Sequence, residues 1–262
     1  MPWSLVVAAL VLLVAVLWAL VPGVFAPADP LRGVPAQKLL PPGAEHWFGT
    51  DVLGRDLYGR VVHGAVHSLS GALIAVTVGL ALGTLIGLVA GAAGGIVDDV
   101  LMRIVDVLLA VPGLLLSLSV IILLGFGTVN AAIAVGLGSV AAFARLMRAE
   151  VVRVRRTEYV EAAFGSGGTF VAVLRRHVLP NALTPILALA ALQFGTAILA
   201  ISTLGFLGYG APPPTPEWGL LIAEGRNYVG TAWWLTTLPG LVVVAVVLAA
   251  NRLSHRIGRS TP

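Results

Sequence analysis

With 262 residues, 58% of them hydrophobic and only 11% charged, and a mean hydropathy of +0.98, the chain falls far outside the composition of soluble domains and is an integral membrane protein. Its formal charge of +4 comes from basic residues gathered in a few places, so no nucleic-acid partner follows, and the absence of cysteine excludes disulfides and thiolate metal sites. The 31 glycines suit helices that approach closely through small residues, and Gly79, Gly83, Gly87 and Gly91 recur every four residues to form one smooth face.

The apolar run over 3–25 carries no charge and is long enough to cross about 30 Å of hydrocarbon at about 1.5 Å per residue. A cleaved secretory signal ending near Val24-Phe25-Ala26 is the competing reading, although no Lys or Arg precedes the run. Residues 27–67 form an external loop of balanced charge, its first half kept irregular by Pro27, Pro30, Pro35, Pro41 and Pro42. Asp51 and Asp56 are expected to pair with Arg55 or Arg60 and pin this loop to the bundle, as solvent-exposed pairs worth at most about 1 kcal/mol. His63 and His67 share a helix face, which raises a metal site. No acid lies between them and no third ligand is evident, so no metal is expected.

Further spans are expected at 68–95, 102–124, 131–147, 182–208 and 236–251. Arg103 and Asp106, three apart at a bilayer edge, are positioned to pair with each other, and Gly125 to Asn130 supply a turn. The span over 182–208 carries Gln193, Ser202 and Thr203, which suit either a substrate path or helix–helix contacts. Tyr228, Trp233 and Trp234 form an aromatic interface belt before the last span, and Arg252, Arg256 and Arg259 make a basic tail. The expected fold is all-α, a single membrane domain over 1–262 with six transmembrane helices.

Between the fourth and fifth spans, the loop over 150–180 holds too many arginines for hydrocarbon, where each costs roughly 2.5–3.5 kcal/mol. Its pattern predicts a short helix capped by Thr157, with Glu158 and Glu161 in the first turn, ended by Gly165, Gly167 and Gly168. Thr169 then caps a second helix that Pro180 stops. Six spans place eleven of the Lys and Arg residues on the side of this loop and five on the other, so the loop and both termini are expected in the cytoplasm.

Several chemistries are missing. The one lysine, Lys38, stands between Gln37 and Leu39, so no phosphate-binding P-loop exists. Ion-gradient-driven transporters place charges mid-membrane and build inverted repeats, neither of which is evident. His46, His63, His67, His177 and His255 lie at or beyond span ends, which argues against an intramembrane protease.

The run Glu161-Ala162-Ala163, followed by Gly167 and Leu179-Pro180, resembles the EAA signature of ATP-binding-cassette importer permeases; His177 stands where Ile is usual, as in many peptide-type members. A second run, Gly49-Thr50-Asp51 with Leu53-Gly54-Arg55-Asp56, is similar to the motif before the second span of C-type dipeptide, oligopeptide and nickel permeases. A third lies over 204–219, followed by Ala223-Glu224-Gly225-Arg226. Gly64-Ala65-Val66-His67-Ser68-Leu69 departs from the family pattern by lacking its arginine. The resemblance implies a coupling helix docking on an ATPase subunit through Glu158, Tyr159, Glu161, Ala162, Ala163, Gly167, Leu179 and Pro180. It also implies a non-catalytic permease subunit for peptides, with nickel as the alternative cargo. Its partners would be a homologous second permease, two ATPase subunits or domains that carry ATP and Mg, and an extracytoplasmic substrate-binding protein.

Overall fold

The computed structural model describes residues 3–257; Arg259 of the basic tail, and the side chains of His255 and Arg256, lie outside what it describes. The helices are α1 (Trp3–Leu20), α2 (Leu57–Ala93), α3 (Gly95–Ala110), α4 (Gly113–Leu124), α5 (Thr128–Arg155), α6 (Glu158–Gly165), α7 (Phe170–Phe206), α8 (Trp218–Gly225) and α9 (Trp234–Ile257). Among the described residues, α1, α2, α5, α7 and α9 are each long and apolar enough to cross a membrane, and α3 with α4 make a sixth span if the bent pair counts as one.

The helix expected at 68–95 begins at Leu57, inside the segment read as loop, because the Asp56 carboxylate accepts from Gly59 N at 2.7 Å and caps it. This α2 packs along α5 as the most extensive helix pair. Its glycine face is the reason: a Cβ on Gly83 would sit 2.5 Å from Phe143 Cβ, and one on Gly91 2.9 Å from Val151 Cβ. From the other side, a Cβ on Gly136 of α5 would lie 2.7 Å from the Ala75 carbonyl. Backbones this close leave no room for a methyl group. Gly83→Val is therefore expected to cost about 1–3 kcal/mol of stability, read as a lowered thermal midpoint in detergent.

The expected third span is not one straight helix. Pro112 lacks an N–H and forces Val111 into an extended conformation (φ −88°, ψ 126°), so α3 and α4 meet at 96°. At the start of α3, the Arg148 guanidinium grips Asp98 with two nitrogens, Nε at 2.8 Å and a terminal nitrogen at 2.5 Å. Asp106 does not pair with Arg103, as its spacing suggested, but with Arg145 of α5 at 2.6 Å, because α3 lies across that helix.

Pro180 likewise does not stop its helix. The chain stays helical from Phe170 to Phe206 through a widened π-turn at Leu174–Val178, which relieves the clash a proline makes with the preceding turn. Just beyond the proline, Asn181 Nδ2 donates to the His177 carbonyl at 2.7 Å. The core joins Val61, Ala65 and Ala72 of α2 to Phe143 and Met147 of α5, and to Ile186, Ile198 and Ile201 of α7.

Candidate functional site

Two arms, α6 and the start of α7, form the elbow over the EAA run. Contrary to expectation, the Thr157 side chain does not cap α6, because its hydroxyl donates to the Val154 carbonyl at 2.6 Å. Its own carbonyl instead receives Val160 N (3.0 Å) and Glu161 N (3.1 Å), while Glu158 and Glu161 stand in the positive first turn. Thr169 makes no side-chain cap either. At the far end Gly168 N donates to Ala163 O (3.1 Å) and Gly167 N to Phe164 O (3.0 Å), a Schellman closure with Gly167 at φ +84°.

Val160 is buried and Ala163 half-buried, seating α6 on the bundle; Glu158, Tyr159, Glu161 and Ala162 face outward. Leu179 is half-buried and Pro180 exposed on the second arm, which Tyr159 reaches by its hydroxyl donating to the His177 carbonyl at 3.4 Å. Arg155 fastens the elbow to α2: its guanidinium donates to Gly91 O (2.8 Å) and Ala92 O (2.6 Å) and stacks 5.8 Å from the Phe170 ring. Sequence reasoning missed the apolar members of this surface, Phe164, Phe170 and Val171, which are 38%, 46% and 71% exposed. The signal was their presence in a segment too charged for hydrocarbon.

The motif over 49–56 is a hydrogen-bonded knot rather than a set of surface pairs. Asp51 is 4%, Arg55 5% and Arg60 1% exposed. The Asp51 carboxylate accepts from Leu53 N, Arg55 N, Arg55 Nε (2.6 Å) and an Arg60 terminal nitrogen (2.9 Å). The expectation of solvent-exposed pairs is thus corrected by burial. Asp56 pairs not with an arginine but with His46 Nδ1 at 2.9 Å, besides capping α2. Thr50 Oγ1 donates to Gln37 O and accepts from Leu40 N, and Gly49 and Gly54 adopt φ +73° where a Cβ would strike neighbouring carbonyls.

The sequence places Glu224 beside the third motif but gives it no partner; its carboxylate meets Arg60 at 2.5 Å from α8 and draws that helix into the knot. Beside it, buried Glu217 accepts from Gly219 N and Leu220 N at 2.9 Å and from the Ser68 hydroxyl at 3.1 Å. Burial pushes its carboxyl above the ordinary glutamate range, against the pull of those three donors. His63 Nδ1 donates to the Gly59 carbonyl at 2.9 Å.

The three polar residues of the fifth span separate. At about 100° per residue, Ser202 lies on the side of α7 opposite Gln193. It is buried, and its backbone packs against Gly219 of α8, whereas Thr203 is exposed. Gln193 lines a cleft among α2, α4, α5 and α7.

Residues 83–261 match the family described as "Binding-protein-dependent transport system inner membrane component". The chain is 41% identical over 219 residues to the dipeptide transport system permease protein DppC of Alkalihalophilus pseudofirmus, covering 84% of this chain and 72% of that one. It is 43% identical over 212 residues to the glutathione transport system permease protein GsiD of Escherichia coli O6:K15:H31, covering 81% and 70%. Among solved structures, an inward-facing MetNI methionine ABC transporter chain superposes with a TM-score of 0.64 at 19% identity, over 79% of this chain and 98% of that chain, which shows a shared fold.

Proposed function

Because the chain belongs to the binding-protein-dependent transport system inner membrane components, we propose that it is one permease subunit of an ABC importer, forming half of a peptide path across the cytoplasmic membrane. The observation that carries this reading is the elbow. A cytoplasmic loop with no partner has no reason to expose Tyr159, Phe164, Phe170 and Val171 beside Glu158 and Glu161 on a closed, tethered turn. Such a surface fits a groove on an ATPase, and its exposed apolar residues would dock there, with Ala162 allowing close approach. Peptide cargo follows from the names of the relatives, one a dipeptide and one a glutathione permease.

In this reading the chain is not itself catalytic: ATP and Mg reside on two partner ATPase subunits or domains, a homologous permease completes the path, and an extracytoplasmic binding protein delivers the peptide. The elbow and both termini face the cytoplasm, where the excess of arginine lies. The test is uptake of a radiolabelled dipeptide into proteoliposomes holding the permease pair, with and without the ATPase subunits. Uptake is expected only with ATPases, ATP and binding protein together. Uptake driven by a proton or sodium gradient without them overturns the proposal.

A further inference from the structure

Midway along the bundle, α2, α4, α5 and α7 enclose a cleft of about 230 Å3 walled by Ala75, Ser117, Gly138, Ser139, Gln193 and Thr196. Most of this wall is small or already satisfied: the Ser117 hydroxyl donates to Gly113 O at 2.9 Å and that of Ser139 to Gly136 O at 2.8 Å. Two features are not. The Gln193 carboxamide, half-buried near the centre of α7, finds no hydrogen-bond partner among the described residues, nor does the Thr196 hydroxyl. An unengaged primary amide is strongly disfavoured against hydrocarbon, so this face meets water, polar cargo or a polar group of the companion permease.

The second feature is the start of α4. The break at Pro112 opens a new helix N-terminus inside the span, with no side chain capping it, and Gly113 and Leu114 lie on the cleft wall. Its first-turn N–H groups have no carbonyl one turn back to accept them and carry the positive end of the helix dipole. A broken helix at mid-membrane whose N-terminus faces a cavity is suited to an anionic or carbonyl group. Along α7, Gln193 and Thr196 share one face of the helix; Thr203 falls on the same side further on, its hydroxyl already donated to Leu199 O at 2.8 Å.

We infer that the Gln193 carboxamide, the Thr196 hydroxyl and the first-turn N–H groups of α4 form a rung on which the main chain of a passing peptide is hydrogen-bonded. A carboxamide both donates and accepts, as a peptide bond does, so it matches any peptide main chain irrespective of side chains. The small walls, Ala75, Gly138 and Ala200, leave room for side chains of different size. The assignment of a peptide to this rung rests on the importer reading above; the aqueous face of α7 does not.

The absence of cysteine makes single-cysteine labelling direct. In the assembled transporter, Gln193→Cys and Thr196→Cys are expected to react with a small membrane-impermeant methanethiosulfonate, more slowly when trialanine is in excess, and Ser202→Cys to stay unlabelled. Silence at both 193 and 196 overturns the aqueous face. Gln193→Leu is expected to lower trialanine uptake about tenfold, the size of one hydrogen bond lost in passage, and to leave uptake of N-methylated trialanine unchanged. Equal loss for both peptides, or loss for neither, overturns main-chain recognition. If the unaltered complex moves no peptide at all, the cargo reading and the main-chain assignment fall together, while the labelling still decides the face.

Discussion

Gly167→Val is expected to abolish peptide uptake while the chain still inserts and assembles with its companion permease. The loss would be conformational rather than steric. A Cβ on Gly167 meets nothing within 4 Å, but its φ of +84° is closed to a β-branched residue, so the Schellman closure opens and α6 loses its angle to α7. Gly167→Asn, which tolerates left-handed backbone, is expected to retain a substantial share of uptake. Glu161→Lys attacks the same surface differently, placing a cation in an exposed first turn that favours anions and inverting the charge offered to the ATPase. Both should lower co-purification of the ATPases or leave ATP hydrolysis without transport. Arg153→Ala is the control, because Arg153 is exposed and pairs only with its neighbour Glu150. Near-normal uptake with both Gly167→Val and Glu161→Lys would reduce the elbow to a linker.

The second large effect is on stability. Arg60→Met is expected to cost about 3–5 kcal/mol, because it strips a partner from buried Asp51 and the nearest partner from Glu224. Arg55 remains on Asp51 at 2.6 Å but reaches Glu224 only at 3.5 Å, too far to compensate fully. Arg60 itself is imperfectly served, its Nε and one terminal nitrogen lacking partners, so the network is optimised for position more than for energy. The double variant Arg60→Met with Glu224→Gln should recover part of the loss. Thermal unfolding of the purified chain measures both, and a cost below about 1 kcal/mol would mean that the knot behaves as a set of surface pairs.

The apolar runs made the helices legible and the arginine-rich segment marked where the chain leaves the membrane, since both depend on composition over many residues. What escaped depends on contacts between distant segments. Glu224 lies 164 residues from Arg60, and nothing in either neighbourhood announces the pair. Burial turned Asp51 from a surface acid into the centre of a network, and the position of α5 gave Asp106 to Arg145 instead of Arg103. Local signals were also misweighed. Pro112 breaks a span inside an apolar run that reads as continuous, whereas Pro180, which reads as a stop, is absorbed by a π-turn. Among the elbow residues the acids and glycines were legible through their chemistry, while Phe164, Phe170 and Val171 passed for ordinary helix formers. Of the polar residues in the fifth span, only helical phase separates Gln193 from Ser202.

At 37 residues, α2 is roughly 55 Å long at about 1.5 Å per residue, and it is clamped at both ends. Arg155 holds its last carbonyls to the elbow, and the Asp56 cap and the Arg60 pairs hold its first turns to the knot over 49–56. It therefore forms one unbroken strut between the elbow and the knot. Its glycine face lies flush on α5, so the strut is braced along its length and a load placed on either end bears on the other. Lengthening or shortening α2 by one turn would shift the knot relative to the elbow by about 5 Å without altering a residue of either.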